Sequence, residues 1–146
     1  MNKQPFQLVL ALAALTALPA AACPPPQLQL TFQEEVAQSY GRADAAFEAQ
    51  VLVNELLPGP GPAGTDHIKL KVVHRYKGSP SAAALELRLA RSGTTCDRSY
   101  FGNAGSRALV FSGADGRLIW TVTDQPNAGL PEARKIVEKS AGGSGG

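Results

Sequence analysis

Two cysteines, two histidines and a short run of alternating cations are the side chains here with chemistry to offer. Cys23 stands behind Ala20-Ala21-Ala22 and ahead of three prolines in LTALPAAACPPPQL, and Cys96 closes SGTTC. A cysteine is a metal ligand, a nucleophile or half of a disulfide, and compartment and neighbours decide which. His67 and His74 lie seven residues apart in HIKLKVVHRYKG. That odd spacing sends them to opposite faces of a regular strand, so a shared metal is not expected. Lys69, Lys71, Arg75 and Lys77 share one parity of the same stretch, a basic face that suits either plain solvation or an acidic polymer such as lipopolysaccharide or a sulfated glycan. There is no nucleophile elbow, phosphate-binding loop, HExxH or paired-cysteine zinc motif, and Ser, His and Asp fall in no catalytic order. The sequence therefore reads as a binding protein, not an enzyme, and implies no cofactor.

The residues ahead of Cys23 set its compartment. Lys3 is the one cation before an uninterrupted apolar run, LVLALAALTAL, which Pro19 ends. A basic start, an apolar core of about 7–15 residues and small residues before the cut make a secretory signal peptide over residues 1–22. The run is well short of the ~20 residues that span a bilayer. The chain is thus expected to be exported, to a periplasm, a cell surface or the medium, with Cys23 as its first mature residue. Two forms of that residue fit. Ordinary cleavage leaves a free amine and a thiol that pairs with Cys96, since two cysteines outside the cytoplasm are most simply read as one disulfide. Cleavage after lipidation leaves an acylated, membrane-anchored Cys23, although Ala20 stands where a lipobox has a large aliphatic residue.

Without the signal the chain is the size of one domain, residues 23–140, followed by a Gly-rich segment, residues 141–146, with nothing to bury and expected to be disordered. Thirteen cations against twelve anions give no electrostatic case for nucleic acid, and export removes it as a routine partner. Thr31 and Glu34 form a capping box ahead of a helix whose Phe32, Val36 and Tyr40 recur at helical spacing, ending at Gly41. Strands follow. In ADAAFEAQVLVNELL, Phe47, Ala49, Val51 and Val53 alternate with Glu48, Gln50 and Asn54; in HIKLKVVHRYKG, Ile68, Leu70, Val72, His74 and Tyr76 share a face. Leu85, Leu87 and Leu89 point inward from ALELRLAR, and strands over 107–111 and 117–122 flank an Asp115-Gly116 turn. Trp120, among Leu118, Ile119 and Val122, reads as core. LPEARKIVEKS reads as a closing helix with Pro131 and Glu132 in its first turn. Five strands between two short helices imply an all-β fold, a small closed or nearly closed antiparallel barrel.

Taken in order, a mature amino-terminal Cys, a short helix, ADAAFEAQVL, IKLKVVHRYKG, SGTTC, SRALVFSG and RLIWTV resemble the netrin-like module of tissue inhibitors of metalloproteinases over about Cys23 to Val122. The matching features are Ala43-Asp44 opening the first strand, Lys77-Gly78 closing the second, and Cys96 as partner of Cys23. The family begins Cys-x-Cys and carries further disulfides; this chain has Cys23-Pro24-Pro25, and Asp97 where the family usually has Gly. The resemblance implies a five-stranded OB-type Greek-key barrel and a metallopeptidase inhibitor. In such inhibitors the amine and carbonyl of the first cysteine chelate the protease zinc, so Cys23 becomes the chelator, Cys96 its anchor, Thr94 and Thr95 the adjacent ridge, and Pro24 the residue facing the specificity pocket. The alternative is a non-inhibitory module that contacts envelope or extracellular components.

Overall fold

Period-2 alternation over two long segments builds the centre of the molecule. The computed structural model describes residues 30–59, 63–80, 84–91, 101–127 and 129–143. Strands β1 (Ala45–Leu57) and β2 (Thr65–Lys77) pair antiparallel along their length. β3 (Ala84–Ala90) adds to β2, β4 (Arg107–Ser112) lies on the other side of β1, and β5 (Leu118–Thr123) pairs with β4. The spatial order is β3-β2-β1-β4-β5, so three successive strands are joined by a fourth laid beside the first, a Greek key. Helices α1 (Phe32–Arg42) and α2 (Leu130–Gly142) flank the strands in sequence. The fold is all-β with two short helices, as the periodicities imply. α2 runs through Gly142, two residues into the segment read as a disordered tail.

The barrel is not closed. Among the described residues β3 and β5 are both edges, with no ladder between them. The registers give the reason. β3 pairs with Thr65–Lys71, the part of β2 opposite the C-terminal half of β1. β5 instead follows Ala108–Ser112, which pair with Ala45–Ala49 at the other end of β1. The two edges are therefore staggered along β1, and the curl of the sheet brings only side chains together. Leu85, Leu87 and Leu89 of β3 and Leu118 of β5 pack on one inner cluster built around Phe47, Val51, Leu70, Phe101 and Val110.

The helices cover the outer face. Thr31 caps α1 reciprocally: its hydroxyl accepts from the Glu34 amide at 3.3 Å, and the Glu34 carboxylate accepts from the Thr31 amide at 2.8 Å. The stripe Phe32, Val36, Tyr40 then turns onto Ala46, Leu109, Phe111 and Val122, joined by Leu130, Ala133 and Val137 of α2. Trp120 belongs to this layer, stacked on Phe111 at 6.1 Å and edge-on to Phe32 at 6.1 Å. Because both faces are covered there, every residue from Ala45 to Ala49 is buried, and β1 is not the half-solvated strand its alternation suggests.

Three bulges redistribute the predicted faces. Pairing skips Tyr76, Val73 and Leu52, and each skip moves the residues beyond it to the opposite face. Val53 therefore pairs with Lys69 on the outer side, and Asn54, paired with the core residue Ile68, turns inward and donates to the Gly102 carbonyl. His74 and Tyr76 leave the face of Ile68, Leu70 and Val72 and join that of Glu48.

Candidate functional site

The two dipeptides that carry the family resemblance meet at one corner. Gly78 has φ +61°, and a Cβ there would collide with the Asp44 carbonyl oxygen, so only glycine lets the end of β2 cross the start of β1. The Asp44 amide donates to the Ser112 carbonyl at 2.9 Å, and its carboxylate accepts from the Ala114 amide at 2.7 Å. Asp44 thus ties the α1–β1 junction to the β4–β5 turn. Lys77 completes the corner: its ammonium donates to the Tyr40 and Gly41 carbonyls at the end of α1 and lies 5.3 Å over the Tyr40 ring.

A charged cluster lies behind this corner, under α2. Glu48 is 3% exposed, on the outer face of β1. Arg134 of α2 donates to it twice, Nε to Oε2 at 2.8 Å and Nη2 to Oε1 at 2.7 Å, and Arg107 of β4 donates at 3.1 Å. The Tyr76 hydroxyl donates at 3.5 Å. Burial pushes the Glu48 carboxyl up, but the hydrogen bonds and charges of Arg134 and Arg107 outweigh it and hold the group below the ordinary carboxylate range. Burial and the neighbouring carboxylates raise the Tyr76 phenol. Glu48 is thus a fixed anion that fastens α2 to the sheet, not a proton carrier.

His67 sits at the opposite end of the outer face, with its side chain 10% exposed. Its Nδ1 lies 2.9 Å from Glu55 Oε1 on β1 and its Nε2 lies 2.7 Å from Glu86 Oε1 on β3. Two carboxylate acceptors are both satisfied only when both ring nitrogens donate, so the protonated ring is the form that clasps the three strands. Hydrogen bonds to Glu55 and then Glu86 raise its pKa, and the same contact lowers that of Glu86. In that protonated form neither ring nitrogen has a lone pair free for a metal. Among the described residues no group of three His, Cys, Asp or Glu is arranged to hold a metal ion. The bulge at Val73 corrects the expected placement of the histidines: His74 shares the outer face with His67. Seven residues still separate them by roughly 20 Å, and His74 rests against the Tyr76 ring at 4.5 Å.

The same bulges divide the four basic residues. Lys71, paired with Gln50, and Lys69 lie on the outer face, Lys77 is turned to α1, and Arg75, paired with the core residue Phe47, lies on the inner side. The four do not form one basic face.

One further feature had no signal in the sequence. Where β3 would have to extend to meet β5, a cavity of about 300 Å³ opens between Leu85 and Leu87 of β3 and the β4–β5 hairpin, with Phe47 and Val110 beneath it. Its members come from four separate stretches of the chain, and only the staggered register assembles them.

Cys23, Pro24, Thr94, Thr95 and Cys96 lie outside the described residues, as does the signal segment. No helix among the described residues is long and apolar enough to cross a membrane. Compared with known proteins, the chain matches no family model and no curated protein.

Proposed function

We propose that the chain is an exported, netrin-like inhibitor of a zinc metallopeptidase that works through its mature amino terminus, Cys23. One observation carries the reading. Ala43-Asp44 and Lys77-Gly78, the dipeptides that mark the resemblance, interlock at one corner of a Greek key in which each has a physical task. A five-stranded OB-type barrel opened between its third and fifth strands has this strand order, which supports the same reading.

Export supplies the working group. Cleavage after Ala22 frees the Cys23 amine, which with the Cys23 carbonyl forms a bidentate ligand for a protease zinc and displaces the water that attacks substrate. A Cys23–Cys96 bridge closes a loop of about seventy residues, worth on the order of 4 kcal/mol in the chain-entropy model. It also holds the amino terminus rigid, so little entropy is lost on docking. Pro24 faces the specificity pocket, and Thr94 and Thr95 form the neighbouring ridge.

The test is a variant with one alanine added ahead of Cys23, assayed with the native mature chain against a panel of zinc peptidases. The extension displaces the amine without touching the strands, so the variant stays folded and loses inhibition by orders of magnitude. Equal inhibition by both forms, or none by the native form, refutes the reading. An acylated Cys23 in the intact mass of the exported protein also refutes it, because an amide nitrogen has no lone pair for zinc, and a lipid-anchored binding module for envelope or extracellular components then replaces it.

A further inference from the structure

We infer that the open seam between β3 and the β4–β5 hairpin is a binding site for a small apolar amine. The cavity, about 300 Å³, is at the lower end of the range for small-ligand sites. Its floor is Phe47 and Val110, both almost fully buried. Its walls are Leu85, Leu87 and Leu118, only half-buried because no β3–β5 ladder covers them. The missing closure thus leaves apolar surface facing a partly open cavity, which an apolar ligand body can remove from water.

The polar lining fixes the sign of the head group. Asp44 and Asp115 line the cavity, and among its described lining residues there is no Lys, Arg or His. Both carboxylates flank Gly113: a Cβ there would lie 3.8 Å from Asp44 Oδ2 and 3.1 Å from Asp115 Oδ1. Each carboxylate accepts one bond from the backbone, from Ala114 and Arg117 respectively, and each keeps further acceptor capacity. Ser112 is 8% exposed and pairs with Ala45 and Leu118 on the inner face. Ser112 lines the cavity, and its hydroxyl has no hydrogen-bond partner among the described residues. Two carboxylates and a free hydroxyl over leucine walls repel an anion and match the three donors of an ammonium group.

The test is a titration of the ¹⁵N-labelled mature chain with hexylammonium, hexanoate and 1-hexanol, followed by amide shifts. Hexylammonium is expected to bind saturably and about tenfold more tightly than hexanoate, the size of two exposed charge pairs. Its shifts are expected around Phe47, Ser112 and Leu118. The Asp44→Asn/Asp115→Asn double variant, which keeps both backbone acceptors, is expected to level the three affinities, and Leu87→Trp, which fills the seam, to abolish all three. The wild-type comparison decides even if a variant fails to fold. Equal affinity for hexanoate, absence of a saturable shift, or shifts centred on the exposed Leu52, Leu56 and Val73 instead of the seam overturn the assignment.

Discussion

Removing Arg134 tests whether the buried Glu48 cluster fastens α2 to the sheet. Arg134→Met keeps most of the side-chain volume and deletes the two shortest bonds to Glu48, at 2.7 and 2.8 Å. What remains is Arg107 at 3.1 Å, itself half-exposed, and a Tyr76 contact at the 3.5 Å limit. Breaking a buried pair costs about 3–5 kcal/mol, and the surviving arginine offsets part of that, so about 3 kcal/mol is expected. Arg107→Met, which removes one longer and more solvated bond, should cost about 1 kcal/mol. The double variant Glu48→Leu/Arg134→Met should be more stable than Arg134→Met alone, because it leaves no stranded carboxylate. Urea unfolding followed through Trp120, packed on Phe111 in the same layer, gives each free energy. The sign with pH is also fixed. The folded Glu48 pKa lies below its unfolded value, so its contribution is present above the ordinary carboxylate pKa and is lost as pH falls through the folded value. That acid loss should shrink in Arg134→Met. If Arg134→Met matches an exposed control such as Lys135→Met, or the double variant is the less stable, the cluster is not what holds α2.

Three further outcomes follow from the geometry. The pKa of His67 is raised on folding, so its clasp contributes fully below the ordinary imidazole value of about 6.5 and is lost as pH rises through the folded value; stability against pH should lose that alkaline decline in His67→Gln. Leu70→Ala, at a fully buried position, should cost about 2–5 kcal/mol in urea unfolding, whereas the exposed Lys71→Ala should change stability by less than about 0.5 kcal/mol; comparable losses would mean the strand faces are misassigned. Gly78→Ala meets the Asp44 carbonyl at positive φ and should cost more than about 1 kcal/mol, against little change for Gly116→Ala beyond its own backbone strain, since a Cβ at Gly116 meets nothing; equal thermal shifts in the two would remove the corner's steric argument.

What was legible in the sequence was local. The Thr31–Glu34 box and the Phe32, Val36, Tyr40 stripe need only one helix to form, and the leucines of β3 need only alternate. The bulges at Leu52, Val73 and Tyr76 were not legible, because a skipped residue is decided by the register of a partner strand. Val53, Asn54, His74 and Arg75 consequently lie on the faces opposite to those that strict alternation implies. Glu48 looked solvent-facing because its cover, Arg134, comes from a helix 86 residues later. Closure of the barrel failed for a similar reason: five strands do not reveal that the two edges lie at opposite ends of β1. The seam cavity follows from that stagger, so none of its residues could be grouped in advance.

The central claim, that the Cys23 terminus ligates a protease zinc, is most directly tested on a cobalt-substituted zinc peptidase. Direct ligation by the Cys23 amine and carbonyl replaces the metal-bound water, so the visible spectrum of the cobalt should change on adding the mature chain and should stay unchanged when the Cys23 amine is first acetylated. An unchanged spectrum with the native terminus, or the same change with the acetylated one, contradicts the account.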